Sequence, residues 1–242
     1  MPNEHIKIMD IPFVNITQRD LLKGELYPRL QESKTSYIVT ANPEIVMYAK
    51  EDKSYKEAIL TADYIIPDGA GIVIASKVLK KPLKERVTGF DLMIKLLSHA
   101  EGNNLSCYFL GAKEEVVQEA MKRVKRDYPE LKIAGHHHGY FDLEDASIAE
   151  RVKEANPDIV FAALGFPKQE LWINKYMSGF KKGLFMGVGG SFDILAGNTK
   201  RAPYFWIKLN LEWLYRLLKE PFRWKRILKV FEFIFRIILF RK

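Results

Sequence analysis

The sequence alternates short apolar runs with helix-like segments, and this alternation restricts the fold more than any other feature. At least five apolar runs end in a polar turn that leads into a helical segment: 36–41, 64–66, 105–110, 158–164 and 184–188. Consecutive strand–turn–helix units build a parallel sheet through right-handed crossovers. We therefore predict an α/β fold, a Rossmann-like parallel sheet with helices on both faces.

A carboxylate directly follows one of these predicted strands. Pro67 ends the run 64–66, because proline cannot extend a central strand, and Asp68-Gly69 then turns the chain toward a helix. Ligands of open α/β sheets bind at this carboxyl end of the strands. Asp68 is therefore a candidate general base. The alternative, which an isolated Asp-Gly turn favours, is that its side chain only caps the following helix.

Polar residues at other strand ends and connectors are expected to share this edge of the sheet. Thr40 and Asn42 end a predicted strand and would face the same crevice as Asp68. Arg86 lies in the polar connector before a predicted helix, where a guanidinium could clamp a phosphate through two hydrogen bonds. The alternative for Arg86 is an ordinary surface arginine.

Turns that contain glycine or proline follow the remaining predicted strands and suit a nucleotide sugar. Glycine lets a backbone approach a ligand closely, and a helix start attracts phosphate. Tyr140 could stack on a base, or be an ordinary loop aromatic, and Asp193 could hold a ribose or a base edge. No G-x-G-x-x-G is present, so each turn is a weak signal by itself. The candidate nucleotide-sugar residues are Gly111, Ala112, Tyr140, Gly165, Pro167, Lys168, Gly187, Gly189, Gly190 and Asp193.

Cysteine and histidine usage predicts neither a disulfide nor a metal site, and we expect no cofactor. Cys107, the single cysteine, lies in an apolar run and is predicted to be a core residue. One cysteine gives no disulfide framework, and the polar start of the chain lacks a signal-peptide apolar region, so we expect a cytoplasmic protein. His136, His137 and His138 are adjacent, and neighbours on an extended chain point to alternate faces, so all three cannot bind one ion.

Positive charge is concentrated at the C-terminal end of the chain. Residues 201–242 hold 11 Lys or Arg and 3 Asp or Glu, whereas the preceding 200 residues hold 27 of each. The same end holds three of the four tryptophans. We therefore predict a nucleotide-sugar-binding catalytic core over 1–196 and a basic amphipathic helical appendage over 197–242.

The last segment of this appendage has the pattern of a helix that lies in a membrane surface. Lys225, Lys229, Glu232 and Arg236 recur at spacings of 4, 3 and 4 and form a narrow polar stripe, while nearly all other positions are apolar. Charges interrupt the run before it reaches the ~20 apolar residues that a span needs. The alternative is a helix packed on the core or on a partner subunit. Nucleic acid is not expected as a partner, because such an apolar face does not track phosphates.

Seven motifs occur in order along the chain: T-A-N-P-E at 40–44, A-D-Y-I-I-P-D-G at 62–69, R-V-T-G at 86–89, F-L-G at 109–111, G-F-P-K-Q-E at 165–170, G-V-G-G-S-F-D at 187–193 and R-A-P at 201–203. Together they resemble the WecG/TagA/CpsF glycosyltransferase family, and the basic, apolar tail is most similar to the TagA branch. The resemblance covers nearly the whole chain.

The resemblance implies an inverting glycosyltransferase. It would move N-acetylmannosamine from a UDP donor to the 4-hydroxyl of N-acetylglucosamine on undecaprenyl diphosphate, forming the linkage unit of wall teichoic acid. It would act at the inner face of the plasma membrane. Asp68 is implied to be the base. The residues implied around the sugar and diphosphate are Thr40, Asn42, Arg86 and Gln169. The tail arginines implied to complete the site at the membrane are Arg216, Arg223 and Arg226.

The chemistry of the residues agrees with this implication. Inversion needs one base on the acceptor hydroxyl, and a departing UDP needs positive charge where its own charge develops. The sequence has no Asp-x-Asp triplet of the kind that holds a metal in many glycosyltransferases, so arginines would supply that charge.

Several alternatives stay open at this point. Another UDP sugar, such as UDP-N-acetylmannosaminuronic acid, could be the donor. A Rossmann enzyme that uses NAD or S-adenosylmethionine is disfavoured, because the chain lacks the glycine fingerprint and an obvious acidic ribose ligand. A non-catalytic membrane scaffold would leave the polar turns without a purpose. The oligomeric state is also open, a homo-oligomer away from the membrane included.

Overall fold

The fold is described by a computed structural model that covers residues 4–209, 211–219 and 224–240. The strands are β1 (His5–Ile8), β2 (Ile11–Val14), β3 (Thr35–Ala41), β4 (Tyr64–Pro67), β5 (Ser106–Gly111), β6 (Lys132–His137), β7 (Ile159–Ala163) and β8 (Gly183–Gly187). The helices are α1 (Gln18–Asp20), α2 (Tyr27–Gln31), α3 (Pro43–Glu51), α4 (Lys53–Leu60), α5 (Ala70–Val78), α6 (Gly89–Gly102), α7 (Glu114–Asp127), α8 (Ala146–Glu154), α9 (Lys168–Tyr176), α10 (Ser191–Leu195), α11 (Tyr204–Lys208), α12 (Glu212–Lys219) and α13 (Trp224–Phe240). A π-helical segment, Leu21–Leu26, joins α1 to α2.

The centre of the molecule is a six-stranded sheet in the order β4-β3-β8-β7-β5-β6. Each neighbouring pair of strands is parallel. Because β-strand side chains alternate between faces, Phe109 enters one hydrophobic cluster with α6 and α7, while Tyr108 and Leu110 enter another with α3 and α9. The predicted α/β fold, with helices on both faces of a parallel sheet, is confirmed.

The N-terminal residues form a separate antiparallel hairpin, as the alternation in that stretch indicates. β1 pairs with β2, and β2 lies beside the edge strand β4. Apolar side chains from both arms, including Ile8 and Phe13, are fully buried in the cluster that also contains α3. The hairpin therefore covers one border of the sheet, where an open edge would invite pairing with another chain.

The last helix, α13, carries apolar side chains on two sides, one packed on the core and the other exposed. α13 packs against α3 and α5, and Phe233 and Ile237 are buried in the core on that side. The other side leaves large apolar side chains exposed: Leu228, Phe231, Phe235, Ile238 and Leu239. The helix is thus docked on the core and still presents an apolar surface. The division of the chain between residues 196 and 197 stays a prediction.

No helix within the described ranges combines the length and the apolar character that crossing a membrane requires. In the same ranges, His, Cys, Asp and Glu do not come together in a group of three that could hold a metal ion. Cys107 is fully buried in β5, and burial raises the pKa of its thiol well above the usual range, so its prediction as a core residue is confirmed.

Candidate active site

The strand order places the predicted turn residues in a row along the carboxyl edge of the sheet. Asp68 follows the edge strand β4, and Tyr140 follows β6 at the opposite edge. Five strand spacings separate these two strands, roughly 24 Å at the usual spacing of parallel neighbours. Only an extended ligand could contact both ends of this row. The other turns lie between these ends, at the ends of β3, β8, β7 and β5.

Asp68 is not the N-cap residue of the helix that follows it. α5 begins after Gly69, whose φ of 102° suits glycine, and the start of α5 has no side-chain cap. The backbone N–H of Asp68 donates to the carbonyl of Ala41 at 2.9 Å. Its carboxylate instead faces the start of α6, with Oδ2 at 3.4 Å from the backbone nitrogen of Gly89. Its role as a base stays a prediction.

A second carboxylate at the start of α6 is held by an arginine from the tail. Arg201 donates from both terminal nitrogens to the two oxygens of Asp91, at 2.6 and 2.5 Å, and Thr88 Oγ1 lies 2.5 Å from Asp91 Oδ2. Burial alone would raise the pKa of Asp91, but Arg201 and Thr88 outweigh it and hold that pKa below its usual value. Asp91 is therefore ionised, and the R-A-P motif is fixed against α6.

Arg201 also lies near Asp68, which the sequence analysis did not foresee. Burial alone would lower the pKa of Arg201, but the hydrogen bonds to Asp91 outweigh it and raise that pKa, with smaller contributions from the charges of Glu212 and Asp68. The guanidinium of Arg201 therefore brings a permanent positive charge to the candidate base. The R-A-P motif at 201–203, which contains Arg201, was the sequence signal that could have indicated this residue.

Arg86 joins the core to the tail. Its guanidinium forms an ion pair with Glu212 of α12 at 2.7 Å, and the two side chains are only 11% and 12% exposed. The neighbouring residue Val87 donates its backbone N–H to the carbonyl of Pro67, which places this connector beside the Asp68 turn. The arginine predicted to clamp a phosphate is thus engaged by a carboxylate, and Glu212 is a contact that the sequence analysis missed.

Thr40 and Asn42 both make defined hydrogen bonds at the end of β3. The hydroxyl of Thr40 donates to the carbonyl of Gly187 at 3.0 Å and so ties β3 to the turn after β8. The side-chain oxygen of Asn42 accepts the backbone N–H of Ile45 at 3.0 Å and so caps α3. Both residues therefore shape the strand end next to Asp68.

Gln169 is buried beneath the turn at residues 187–190, which we call the glycine turn. Its Oε1 accepts the backbone N–H of Gly189 at 3.0 Å, and its Nε2 donates to Glu170 Oε1 at 2.7 Å. Gly187 is required beside it, because an added Cβ there would lie 2.5 Å from Gln169 Nε2. Gln169 was predicted to surround the sugar and diphosphate. In the structure its amide is directed at the backbone of the glycine turn.

Glu170 is a buried carboxyl group, and its burial raises its pKa to about 7. The buried hydroxyls of Tyr37 and Tyr55 face it, and their own pKa values are raised by burial and by the negative charge of Glu170. Tyr55 and Gln169 partly offset the effect of burial on Glu170. The charged form of Glu170 is therefore disfavoured in the folded protein.

This shift predicts a pH-dependent difference in stability between the wild type and Glu170→Gln. Between pH 4.5 and about 7 the folded state holds a proton that the unfolded state has lost, so the wild type loses stability as pH rises. We expect the free energy of unfolding of the wild type to fall relative to Glu170→Gln by up to about 3 kcal/mol over this range. Urea denaturation of both proteins at about pH 5 and about pH 8 measures it. An unchanged difference between these pH values would contradict the raised pKa.

The turn after β5 is built for close contact between backbones. Gly111 has a φ of 133°, and a Cβ there would lie 2.4 Å from the backbone of Ala163, so only glycine fits. Ala112 has a φ of 61° and accepts the backbone N–H of Gly139 at 2.8 Å. This contact joins the turns after β5 and β6. Beside them is an open cavity of about 440 Å³ lined by Lys113, Glu114, Glu115, His138 and Tyr140.

The remaining predicted residues have less defined surroundings. Gly165 has a φ of 76°, Pro167 precedes α9, and Lys168 is exposed in its first turn. Gly189 has a φ of 50° and Gly190 precedes α10. Asp193 lies inside the first turn of α10 and not in the turn before it, because the helix begins at Ser191. Arg223 is outside the described residues, and so are the side chains of Arg216 and Arg226.

Comparison with known proteins gives a match over nearly the whole chain. The model of the glycosyl transferase WecG/TagA/CpsF family matches residues 6–242. A Bacillus spizizenii protein is 43% identical over 209 residues, which are 86% of this chain and 81% of that protein. A Staphylococcus aureus strain MW2 protein is 44% identical over 223 residues, 92% of this chain and 86% of that protein.

Both relatives are named N-acetylglucosaminyldiphosphoundecaprenol N-acetyl-beta-D-mannosaminyltransferase. The family match includes each of the strand ends described above as well as the tail. The extent of the family match, together with these identities, is far beyond a likeness of fold. The chain belongs to the glycosyl transferase WecG/TagA/CpsF family.

Proposed function

We propose that this protein is an inverting glycosyltransferase that moves N-acetylmannosamine from UDP-N-acetylmannosamine to the 4-hydroxyl of N-acetylglucosamine on diphosphoundecaprenol. The product is the linkage unit of wall teichoic acid. The observation that carries the proposal is the Asp68 carboxylate at the sheet edge, which faces the start of α6 and interacts with the charge of Arg201. The names of the two relatives supply the sugar and the acceptor.

Asp68 is the base in this proposal. Its carboxylate removes the proton of the acceptor hydroxyl while that oxygen attacks the anomeric carbon of the donor sugar. UDP departs from the opposite face, so the configuration at the anomeric carbon inverts. A positioned base of this kind contributes roughly 10²–10⁴ in rate. The placement of Asp68 beside the N–H of Gly89 supports a fixed orientation for its carboxylate.

Positive charge near Asp68 is proposed to stabilise the departing diphosphate. The charge of Arg201, which is paired with Asp91, also interacts with that of Asp68, and Arg86 lies in the connector that is hydrogen-bonded to Pro67. Guanidinium groups suit a diphosphate because their planar fork donates two hydrogen bonds at once. With no Asp-x-Asp triplet in the sequence, we propose that arginines do this work without a metal ion.

The donor is proposed to lie along the carboxyl edge of the sheet. The sugar is placed near Asp68, the diphosphate over the glycine turn, and the uridine toward the cavity beside Tyr140. This arrangement is supported by the strand order, which puts β8 and β7 between the two ends. The cavity is open and lined by one aromatic ring, one imidazole and a lysine, groups that can stack on a base or pair with a ribose.

The tail is proposed to hold the enzyme on the inner face of the plasma membrane as a peripheral protein. The supporting observation is the exposed apolar side of α13, in a tail with a large excess of Lys and Arg. Apolar burial and attraction to anionic lipids together favour such a surface position. In this proposal residues 197–242 anchor the enzyme at the membrane. They also close the active site, where Glu212 of α12 pairs with Arg86.

A competition assay with a short-chain lipid acceptor tests the function. UDP-N-acetylmannosamine, UDP-N-acetylglucosamine and UDP-N-acetylmannosaminuronic acid are offered together, and the product is identified by mass and anomeric configuration. We expect a single added N-acetylmannosamine in the β configuration. If the only product carries the uronic acid, the donor is UDP-N-acetylmannosaminuronic acid and not UDP-N-acetylmannosamine. If UDP does not raise the melting temperature while NAD or S-adenosylmethionine does, the chain is not a glycosyltransferase.

A further inference from the structure

We propose that Glu170 is a positioning residue of this site. Its buried carboxyl group fixes the orientation of the Gln169 amide, and that amide sets the shape of the glycine turn that receives the donor diphosphate. The inference rests on the proposed function, since that function assigns the glycine turn to the donor. Glu170 closes the G-F-P-K-Q-E motif at 165–170, but the chemistry of sugar transfer does not by itself require a second carboxyl group at this place.

The first step is the contact between two neighbouring residues of α9. Both Gln169 and Glu170 are almost completely buried, although they lie in the first turn of the helix. Gln169 Nε2 donates to Glu170 Oε1 at 2.7 Å. A buried polar group without such a partner would cost about 1–3 kcal/mol. The hydrogen bond between Gln169 and Glu170 therefore offsets part of the cost of burying two polar side chains in an apolar layer.

The second step is the direction that this contact gives to the amide. The two ends of a glutamine amide have nearly the same shape, but one end donates and the other accepts. Glu170 Oε1 accepts from Gln169 Nε2 and the N–H of Gly189 donates to the other end of the same amide, so the two contacts favour one orientation. The carbonyl end must then face the glycine turn, where it accepts the N–H of Gly189 at 3.0 Å. A reversed amide would set two donors against each other at Gly189.

The third step connects the glycine turn to the candidate base. Gly187, in the same turn, lies against Gln169 on one side and accepts the Thr40 hydroxyl at 3.0 Å on the other. Thr40 in turn packs against Gly89, where an added Cβ would be 3.1 Å from Thr40 Cγ2. Gly89 is the residue whose N–H faces Asp68. Displacement of the Gln169 amide would therefore first affect the donor side of the site.

The surroundings of Glu170 indicate that its carboxyl group does not serve stability alone. Its other oxygen, Oε2, makes no well-formed hydrogen bond, although the Tyr55 hydroxyl is near enough to lower its pKa. Tyr37, which interacts with the charge of Glu170, also has a buried hydroxyl without a hydrogen-bond partner. An apolar residue of similar volume would avoid the cost of burying a carboxyl group. Stability alone therefore does not explain a carboxyl group at this position.

Two substitutions at Glu170 test the proposal in the full-length protein. Glu170→Leu removes the acceptor, and Glu170→Gln keeps one because its amide carbonyl can accept from Gln169. We expect Glu170→Leu to raise the Kd for UDP and the KM for the donor by about tenfold or more, with the KM for the lipid acceptor unchanged. Glu170→Gln should recover most of this loss. Calorimetry with UDP and steady-state kinetics provide the measurements.

Two further variants separate positioning from a general effect on the core. Gly187→Ala pushes a methyl group against Gln169 Nε2, so it should raise the donor KM in the same way, and it carries the test if Glu170→Leu does not fold. Val152→Ala is the matched control, because it also opens space in the apolar cluster that contains α9 but lies near the end of α8 that leads into the start of β7, away from the carboxyl edge of the sheet. Its donor KM should stay at the wild-type value.

The outcomes distinguish this inference from the proposed function. If the wild type transfers sugar and Glu170→Leu or Gly187→Ala keeps the wild-type UDP affinity, the positioning role is wrong and the function stands. An equal loss in Val152→Ala would also overturn it, since any disturbance of the core would then have the same effect. If the wild type neither binds UDP nor transfers sugar, the proposed function itself fails.

Discussion

Replacing Asp68 with asparagine is expected to lower kcat for sugar transfer by about 10²–10⁴-fold while the Kd for UDP stays close to that of the wild type. The reason is that an amide cannot take the proton of the acceptor hydroxyl, yet it keeps an oxygen that can accept the N–H of Gly89. Single-turnover transfer to a short-chain lipid acceptor measures the chemical step, and calorimetry measures UDP binding.

Asp10→Asn is the matched control for this substitution. Asp10 lies in the turn of the N-terminal hairpin, its side chain is 84% exposed, and it is distant in the fold from the carboxyl edge of the sheet. The two variants should have similar free energies of unfolding, because an asparagine at position 68 keeps an oxygen that can accept the N–H of Gly89. Normal transfer by Asp68→Asn would show that the carboxylate only shapes the turn.

Phe233→Ala, which removes a buried ring, is expected to lower the free energy that holds the tail on the core by about 3–5 kcal/mol. The ring is fully buried where α13 packs on α3 and α5, so its loss leaves a cavity at the contact between tail and core. We expect faster proteolysis and faster amide hydrogen exchange within α13. Transfer to a lipid acceptor should fall in parallel, because the tail is proposed to close the site.

Phe235→Ala provides a control on the same helix. Its ring lies two residues further along and is 61% exposed, on the apolar side that is proposed to enter the membrane surface. This variant should keep wild-type protection of α13 and lose affinity for vesicles that contain anionic lipid. Equal effects of the two substitutions on proteolysis and on vesicle binding would contradict the separation of a docking side from a membrane side.

The sheet could be predicted because five of its six strands, all but β6, are buried on both faces. Buried parallel strands give continuous apolar runs, and each run here ends in a turn that the sequence makes obvious. The helix α4 was missed, and within the helix-like stretch 17–33 the π-helical geometry was not predicted. α4 follows α3 after the single residue Asp52, and the π-helical segment Leu21–Leu26 has no signature in apolar spacing. Asp52 Oδ1 accepts the backbone N–H of Tyr55 at 2.9 Å and so caps α4. An aspartate at this position was the available sequence signal for the helix.

The positions of the candidate site residues could be predicted better than their contacts. Parallel strands end at a common edge, so the ends of β3 and β4 had to meet. The partners of Arg86 and Asp91 could not be found, because they lie 126 and 110 residues away in the tail. Glu170 looks like an ordinary acidic residue in the first turn of a helix until its burial is known.

The ion pair between Arg86 and Glu212 has a thermodynamic consequence for the proposed enzyme. If the diphosphate binds Arg86, it must share or replace the carboxylate of Glu212, and the free energy of one contact then depends on the other. Such dependence is reciprocal: the factor by which the donor alters attachment of α12 equals the factor by which a detached α12 alters donor affinity. Nucleotide occupancy would thus be sensed at the end of the chain that meets the lipid.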